Sequence, residues 1–126
     1  MTTSLLRLLA ISCAVMAGAP ARADVIDIAW SPDGRFEHRA ELAPGGFAEV
    51  CGRLEKGSAV RWAFEAGGPT DFNIHYHQGK QVVFPAQRRG IAKAAATLKV
   101  KLGQDYCWMW TNKGAQALAL RLTLTR

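Results

Sequence analysis

The 126-residue sequence predicts an all-β fold, an antiparallel β-sandwich of the jelly-roll kind closed by one disulfide. Three observations carry that expectation. From residue 25 onward apolar and polar side chains alternate with period two, the period of a strand with one buried face. Turns rich in glycine and proline interrupt the alternation at short intervals. Two cysteines, Cys51 and Cys107, remain once an export segment is set aside.

That export segment is legible in its parts. Arg7 supplies a positive start, residues 8–18 an apolar run too short to span a bilayer, and Ala21-Arg22-Ala23 the small residues of a cleavage site. Residues 1–23 are therefore expected to be a cleaved signal peptide, and 24–126 a single domain that is periplasmic or secreted, without a stable membrane anchor. Lipidation of Cys13 is not expected, because Ala10-Ile11-Ser12 lacks the leucine usual before a lipidated cysteine and the apolar run continues past it. Loss of Arg7 and Arg22 reduces sixteen cations to fourteen against ten acids, a formal charge of +4. The cations are spread along the chain, with only Arg88 and Arg89 adjacent, so a nucleic-acid partner is not expected. Cys13 leaves with the segment, and in an oxidising compartment the remaining pair is most simply a disulfide, which would stabilise a small domain by roughly 4 kcal/mol. A redox pair is the alternative, weakened by the absence of a Cys-x-x-Cys motif.

Eight or nine short strands are predicted, from nine segments taken in order. The first covers 25–30 and ends at Ser31-Pro32-Asp33-Gly34, a type I turn sequence. Residues 36–42 place Phe36, His38, Ala40 and Leu42 on one face and Glu37, Arg39 and Glu41 on the other. Residues 47–54 carry Cys51, and 59–66 set Val60, Trp62 and Phe64 against Arg61 and Glu65. After Gly67-Gly68-Pro69-Thr70, taken as a break, 71–77 puts Phe72, Ile74 and Tyr76 opposite Asp71, Asn73, His75 and His77. A hairpin tip at Gln78-Gly79-Lys80 leads into 81–84, where Pro85 marks an edge or an end, and 86–90 is expected to be a polar loop. Residues 91–100 are rich in alanine, a helix former, yet alternate well enough to favour a strand. The aromatic segment 105–112 and the leucine alternation of 118–124 complete the set.

The order of these landmarks resembles the GOLD (Golgi dynamics) domain, a β-sandwich of secretory cargo receptors. The likeness runs over Cys51, Lys56-Gly57, Gly67-Gly68-Pro69, Asp71-Phe72-Asn73-Ile74, Gly79-Lys80-Gln81-Val82-Val83 and the aromatic strand to Asn112-Lys113. Tyr106, Trp108, Trp110 and Asn112 fall in register with the Tyr, Phe, Phe and Asn of the family's Gly-x-Tyr-x-Phe-Cys-Phe-x-Asn strand. Met109 stands where the family has its cysteine, and Cys107 lies two residues earlier. A GOLD-like module implies a non-catalytic role in binding an unknown protein or small ligand. No cargo-binding residue carries over by motif, and neither does the trafficking role.

Chemistry is sparse. His75-Tyr76-His77 has metal-ligand spacing: two histidines at i and i+2 on a strand project from one face, roughly 7 Å apart, and could share Cu or Zn with Met109 or His38. The same pattern also arises on an ordinary wet strand face, and no other cofactor is indicated. A type-1 copper site lacks its downstream histidine, and the serines Ser31 and Ser58 lie in turns without a Gly-x-Ser-x-Gly context. No catalytic residue is named, and the chain is not expected to be an enzyme. Trp62 and Tyr106 are expected in the core; one of Trp108 and Trp110 is kept as a candidate surface for stacking a ligand.

Overall fold

The computed structural model describes residues 14–15 and 23–126, so the expected signal segment falls almost entirely outside the described residues. Seven strands follow: β1 (Ala23–Asp27), β2 (Arg35–Leu42), β3 (Phe47–Leu54), β4 (Ala59–Gln78), β5 (Gln81–Lys99), β6 (Gln104–Thr111) and β7 (Leu118–Thr125). The described residues contain no helix. The fold is all-β as the sequence predicts, but the nine candidate segments become seven strands because two pairs fuse.

Both fusions occur in one long hairpin. The early half of β4 pairs with β7 from Arg61 to Ala66, and its later half pairs with β6 from Asp71 to His75. Between them, Gly67-Gly68-Pro69-Thr70 bends the strand without ending it. A Cβ on Gly68 would stand 2.9 Å from the Leu118 side chain, so glycine permits the close approach of β7 at the bend. β5 follows β4 along its whole length, with register shifts near Thr70 and Ile74. Residues 86–90 are thus part of a strand rather than a loop; Thr70 Oγ1 donates to the Ile91 carbonyl and the Gly90 N–H donates to Asp71 Oδ1, tying the two strands where they turn. Pro85 is tolerated because, among the described residues, β5 has a neighbour on one side alone. The two-residue tip Gly79-Lys80 sets Gly79 at φ 60°, the position a type II′ turn reserves for glycine.

The result is one sheet curled into two layers. The first layer runs β1, β3, β6, late β4, early β5; the second runs β2, β7, early β4, late β5. All pairings are antiparallel except β1 with β3, which is parallel. Alanine-rich 91–100 stays extended because Trp62, Phe64 and their neighbours on β4 supply a ladder along it. Tertiary pairing overrides local helix propensity.

The inward residues of the two layers meet in one core. Trp62, Phe64, Phe72 and Trp110 form an aromatic cluster with ring centroids 4.8–6.3 Å apart. Val50, Val60, Ile74, Trp108, Leu122 and Leu124 pack around it. Trp62 and Tyr106 are buried as expected. Trp108 and Trp110 are each 0% exposed, which corrects the expectation that one of them offers a stacking surface. The reason is parity: both share a strand face with Tyr106, and β6 is covered by β3 and β4 at its sides and by the second layer above. Asn112, also fully buried, donates through Nδ2 to the Leu42 and Gln116 carbonyls and accepts from the Gly114 N–H, joining two loops at one end of the sandwich.

Candidate functional site

The side chains with chemistry converge on the outer face of the first layer. Register makes this unavoidable: with Tyr106, Trp108 and Trp110 inward, Cys107 and Met109 point outward, and so do Glu49 and Cys51 opposite them on β3. On β4 the inward set Phe72, Ile74 and Tyr76 leaves Asn73, His75 and His77 on the same outer face.

Cys51 and Cys107 are direct cross-strand partners and form a disulfide, their Cα atoms 4.1 Å apart. The staple is therefore not in the core. It crosses the outside of β3 and β6, next to His75, which pairs with Cys107 on the other side.

His75 is only 6% exposed although it lies on an outward face. Its Nδ1 is 2.7 Å from Asn73 Oδ1 and its Nε2 is 3.3 Å from Glu49 Oε1. Two acceptors thus face two ring nitrogens, an arrangement fully satisfied by the doubly protonated ring. Burial nevertheless holds the pKa below its ordinary value of 6.5; Glu49 pulls it up, and His77 adds to the lowering. Desolvation outweighs the single carboxylate.

The His77 ring stands against that of His75 with centroids 5.4 Å apart and planes at 85°, and Phe84 lies 6.0 Å away on the other strand. The two histidines named from the sequence are thus brought together, and Met109 shares their face opposite Asn73. His38 is not brought to them: it sits on β2 in the second layer, stacked on Phe36. Among the described residues, one group of three His, Cys or carboxylate donors lies within 4.8 Å, namely Glu49, Cys51 and Cys107. Its two sulfurs are bonded to each other, so they offer no thiolates to an ion.

Exposed apolar side chains flank this cluster on both sides. Val25, opposite Glu49 on β1, is 60% exposed; Val82, opposite His77, is 42% and Phe84 46% exposed. Sequence reasoning missed Glu49, Val25, Val82 and Phe84 as members of this site. The strand alternation places each of them on a face, but which strands lie side by side is long-range information.

No protein-family model matches this chain, and no curated protein matches its sequence. Solved structures do match its fold. The pre-peptidase C-terminal domain of a Bacillus anthracis collagenase superposes with a TM-score of 0.61 at 12% identity, covering 86% of this chain and 99% of that one. A periplasmic inhibitor of g-type lysozyme from Aeromonas hydrophila gives 0.58 at 10% identity over 82% of this chain and 96% of that one. The Yersinia pseudotuberculosis-derived mitogen gives 0.57 at 9% identity over 72% and 84%. These likenesses establish a β-sandwich; none of the three is a GOLD domain.

Proposed function

We propose that this chain is an exported binding module without catalytic activity, and that it engages a protein partner through the outer face of its first layer. One observation carries the reading. Val25, Val82 and Phe84 are three of the four exposed large hydrophobic residues described in 23–126, and all three flank the ordered Glu49–Asn73–His75 cluster and the disulfide. Exposed apolar side chains on either side of pre-positioned polar groups suit an interface. The disulfide suits an oxidising compartment. The fold has a precedent for such a role in the Aeromonas hydrophila lysozyme inhibitor, and the GOLD-like order of landmarks supports the same kind of role. The test is affinity capture and cross-linking mass spectrometry from the secreted and periplasmic fractions with wild type and Phe84→Asp. A protein cross-linked to β4 or β5 in wild type and lost in the variant is the expected outcome; identical profiles would end the proposal.

A second reading, a Cu- or Zn-binding protein, is favoured by the adjacent rings of His75 and His77, with Met109 on the same face. An ion at His75 would displace Asn73 or Glu49 from a ring nitrogen. Calorimetric titration with each metal decides it: affinity weaker than micromolar, or unchanged in His75→Ala/His77→Ala, removes this reading.

A further inference from the structure

Charge is segregated in this molecule, because the acids are absent from one stretch over which the cations continue. Residues 72–104 contain six cations, Lys80, Arg88, Arg89, Lys93, Lys99 and Lys101, and no acid. The rest of 24–126 holds eight cations against ten acids. The whole positive excess thus belongs to β5 and its flanks.

Among the described residues β5 is also the edge of both layers, pairing with β4 alone. Its early half is interrupted by Pro85 and by the register shifts near Ile74 and Thr70. Its late half is regular: Lys93 to Lys99 pair with Glu65 to Ala59 through seven consecutive positions. The Val100 N–H donates to the Ser58 carbonyl, so by strict alternation Leu98, Ala96 and Ala94 bond toward β4. Lys93, Ala95, Thr97 and Lys99 therefore turn their N–H and C=O groups away from β4 and carry exposed side chains. Small side chains from Ala94 to Thr97 leave this backbone accessible.

The other edges differ. β1 is five residues long, and β2 alternates Arg35, Glu37, Arg39 and Glu41, with Arg35 paired to Glu37 at 2.6 Å. Mixed charge and short length are the usual protections of an edge. Beside late β5, on the face of Leu98, lies a cleft of about 470 Å³ lined by Val83, Pro85, Leu98, Leu102 and Tyr106, with Lys99 and Lys101 and no acid.

From these features we infer that the Lys93–Lys99 edge accepts an extended acidic segment of a partner protein as an added antiparallel or parallel strand. The segment alternates acidic residues, facing Lys93 and Lys99, with apolar residues that stand beside Leu98 over the cleft. Backbone bonds to Ala95 and Thr97 supply the pairing and the charges select the partner. A second copy of this chain is a poor occupant, because two such edges would oppose lysine with lysine. This edge is separate from the outer-face patch of the first layer, so its test does not depend on that partner.

The probe is a peptide of about eight residues alternating glutamate and valine, compared with its lysine–valine counterpart, poly-glutamate and phosphatidylglycerol vesicles. The purified, disulfide-bonded protein is titrated by NMR and its amide exchange followed. We expect the glutamate–valine peptide to bind about tenfold or more tighter than the other three and to slow exchange at Ala95 and Thr97. Ala95→Pro, which removes an outward N–H, should weaken it about tenfold, and Lys93→Gln/Lys99→Gln about threefold without changing the unfolding midpoint. Should Ala95→Pro unfold the protein, the lysine pair and the exchange pattern decide alone. Equal binding of poly-glutamate or vesicles without amide protection, no binding by any probe, or self-association that Ala95→Pro abolishes would each overturn the inference.

Discussion

The two faces of the first layer are built on opposite terms. Inside, Trp108, Trp110, Phe72 and Ile74 are held by packing against a second layer, each nearly or fully buried. Outside, no element among the described residues packs on the sheet, and order comes from a disulfide, from the contacts of His75 with Glu49 and Asn73, and from ring contacts. The inner face has no freedom to bind; the outer face is ordered without being covered. Core packing and ordered surface groups are thus assigned to alternate residues of the same strands, Trp108 against Cys107 and Ile74 against His75.

Substitutions that break this contrast should differ in size. Trp110→Ala removes a ring that contacts both Phe64 and Phe72 and should cost about 3–5 kcal/mol in urea unfolding, enough to leave little folded protein. On the outer face, Cys51→Ala/Cys107→Ala opens a loop with a sequence separation of 56 and should cost about 4 kcal/mol by the chain-entropy argument, seen as a lowered midpoint. If that loss proves negligible, the outer face is ordered by its polar contacts and not by the staple. Asn112→Ala leaves the Leu42 and Gln116 carbonyls and the Gly114 N–H without this partner, an expected loss of about 2 kcal/mol by the same measurement.

His75 gives the contrast a pH signature. Its folded pKa lies below the ordinary 6.5, so as pH falls through that value the unfolded chain takes up a proton before the folded one does. Stability should therefore decline from about pH 7 downward and level off below the folded pKa. Urea midpoints between pH 8 and 5 should show that decline in wild type and a smaller one in His75→Gln; equal slopes would mean that His75 is protonated alike in both states. The smallest effect is expected of Phe84→Asp, within about 0.5 kcal/mol, because a half-exposed side chain on an uncovered face contributes little to folding.

Most strands were legible because period two survives in each segment. Residues 47–54 are predicted and observed with identical bounds. The misplaced features share one cause. Gly67-Gly68-Pro69-Thr70 and the stretch 86–90 carry breaker residues, and local chemistry does not distinguish a strand that ends from one that bends into another layer. The aromatic strand exposed a different weakness: Trp108 and Trp110 have the same parity as Tyr106, so a core position for one implies it for all. The charge segregation of 72–104 was present in the sequence too, but it acquires meaning only when β5 is seen to be an edge.

The sequence by itself determined the all-β class, the position of most strands, which residues share a face of each strand, and the cysteine pair available to join. These follow from local periodicity and from elimination. Only the tertiary structure decided that Cys51 faces Cys107 on the outside, that Glu49 reaches His75, that Val25 lies to one side of this cluster and Val82 and Phe84 to the other, and that β5 edges both layers. Those facts depend on which strands lie side by side, and strand order is set by the closing of long loops around one shared core, which no window of sequence contains.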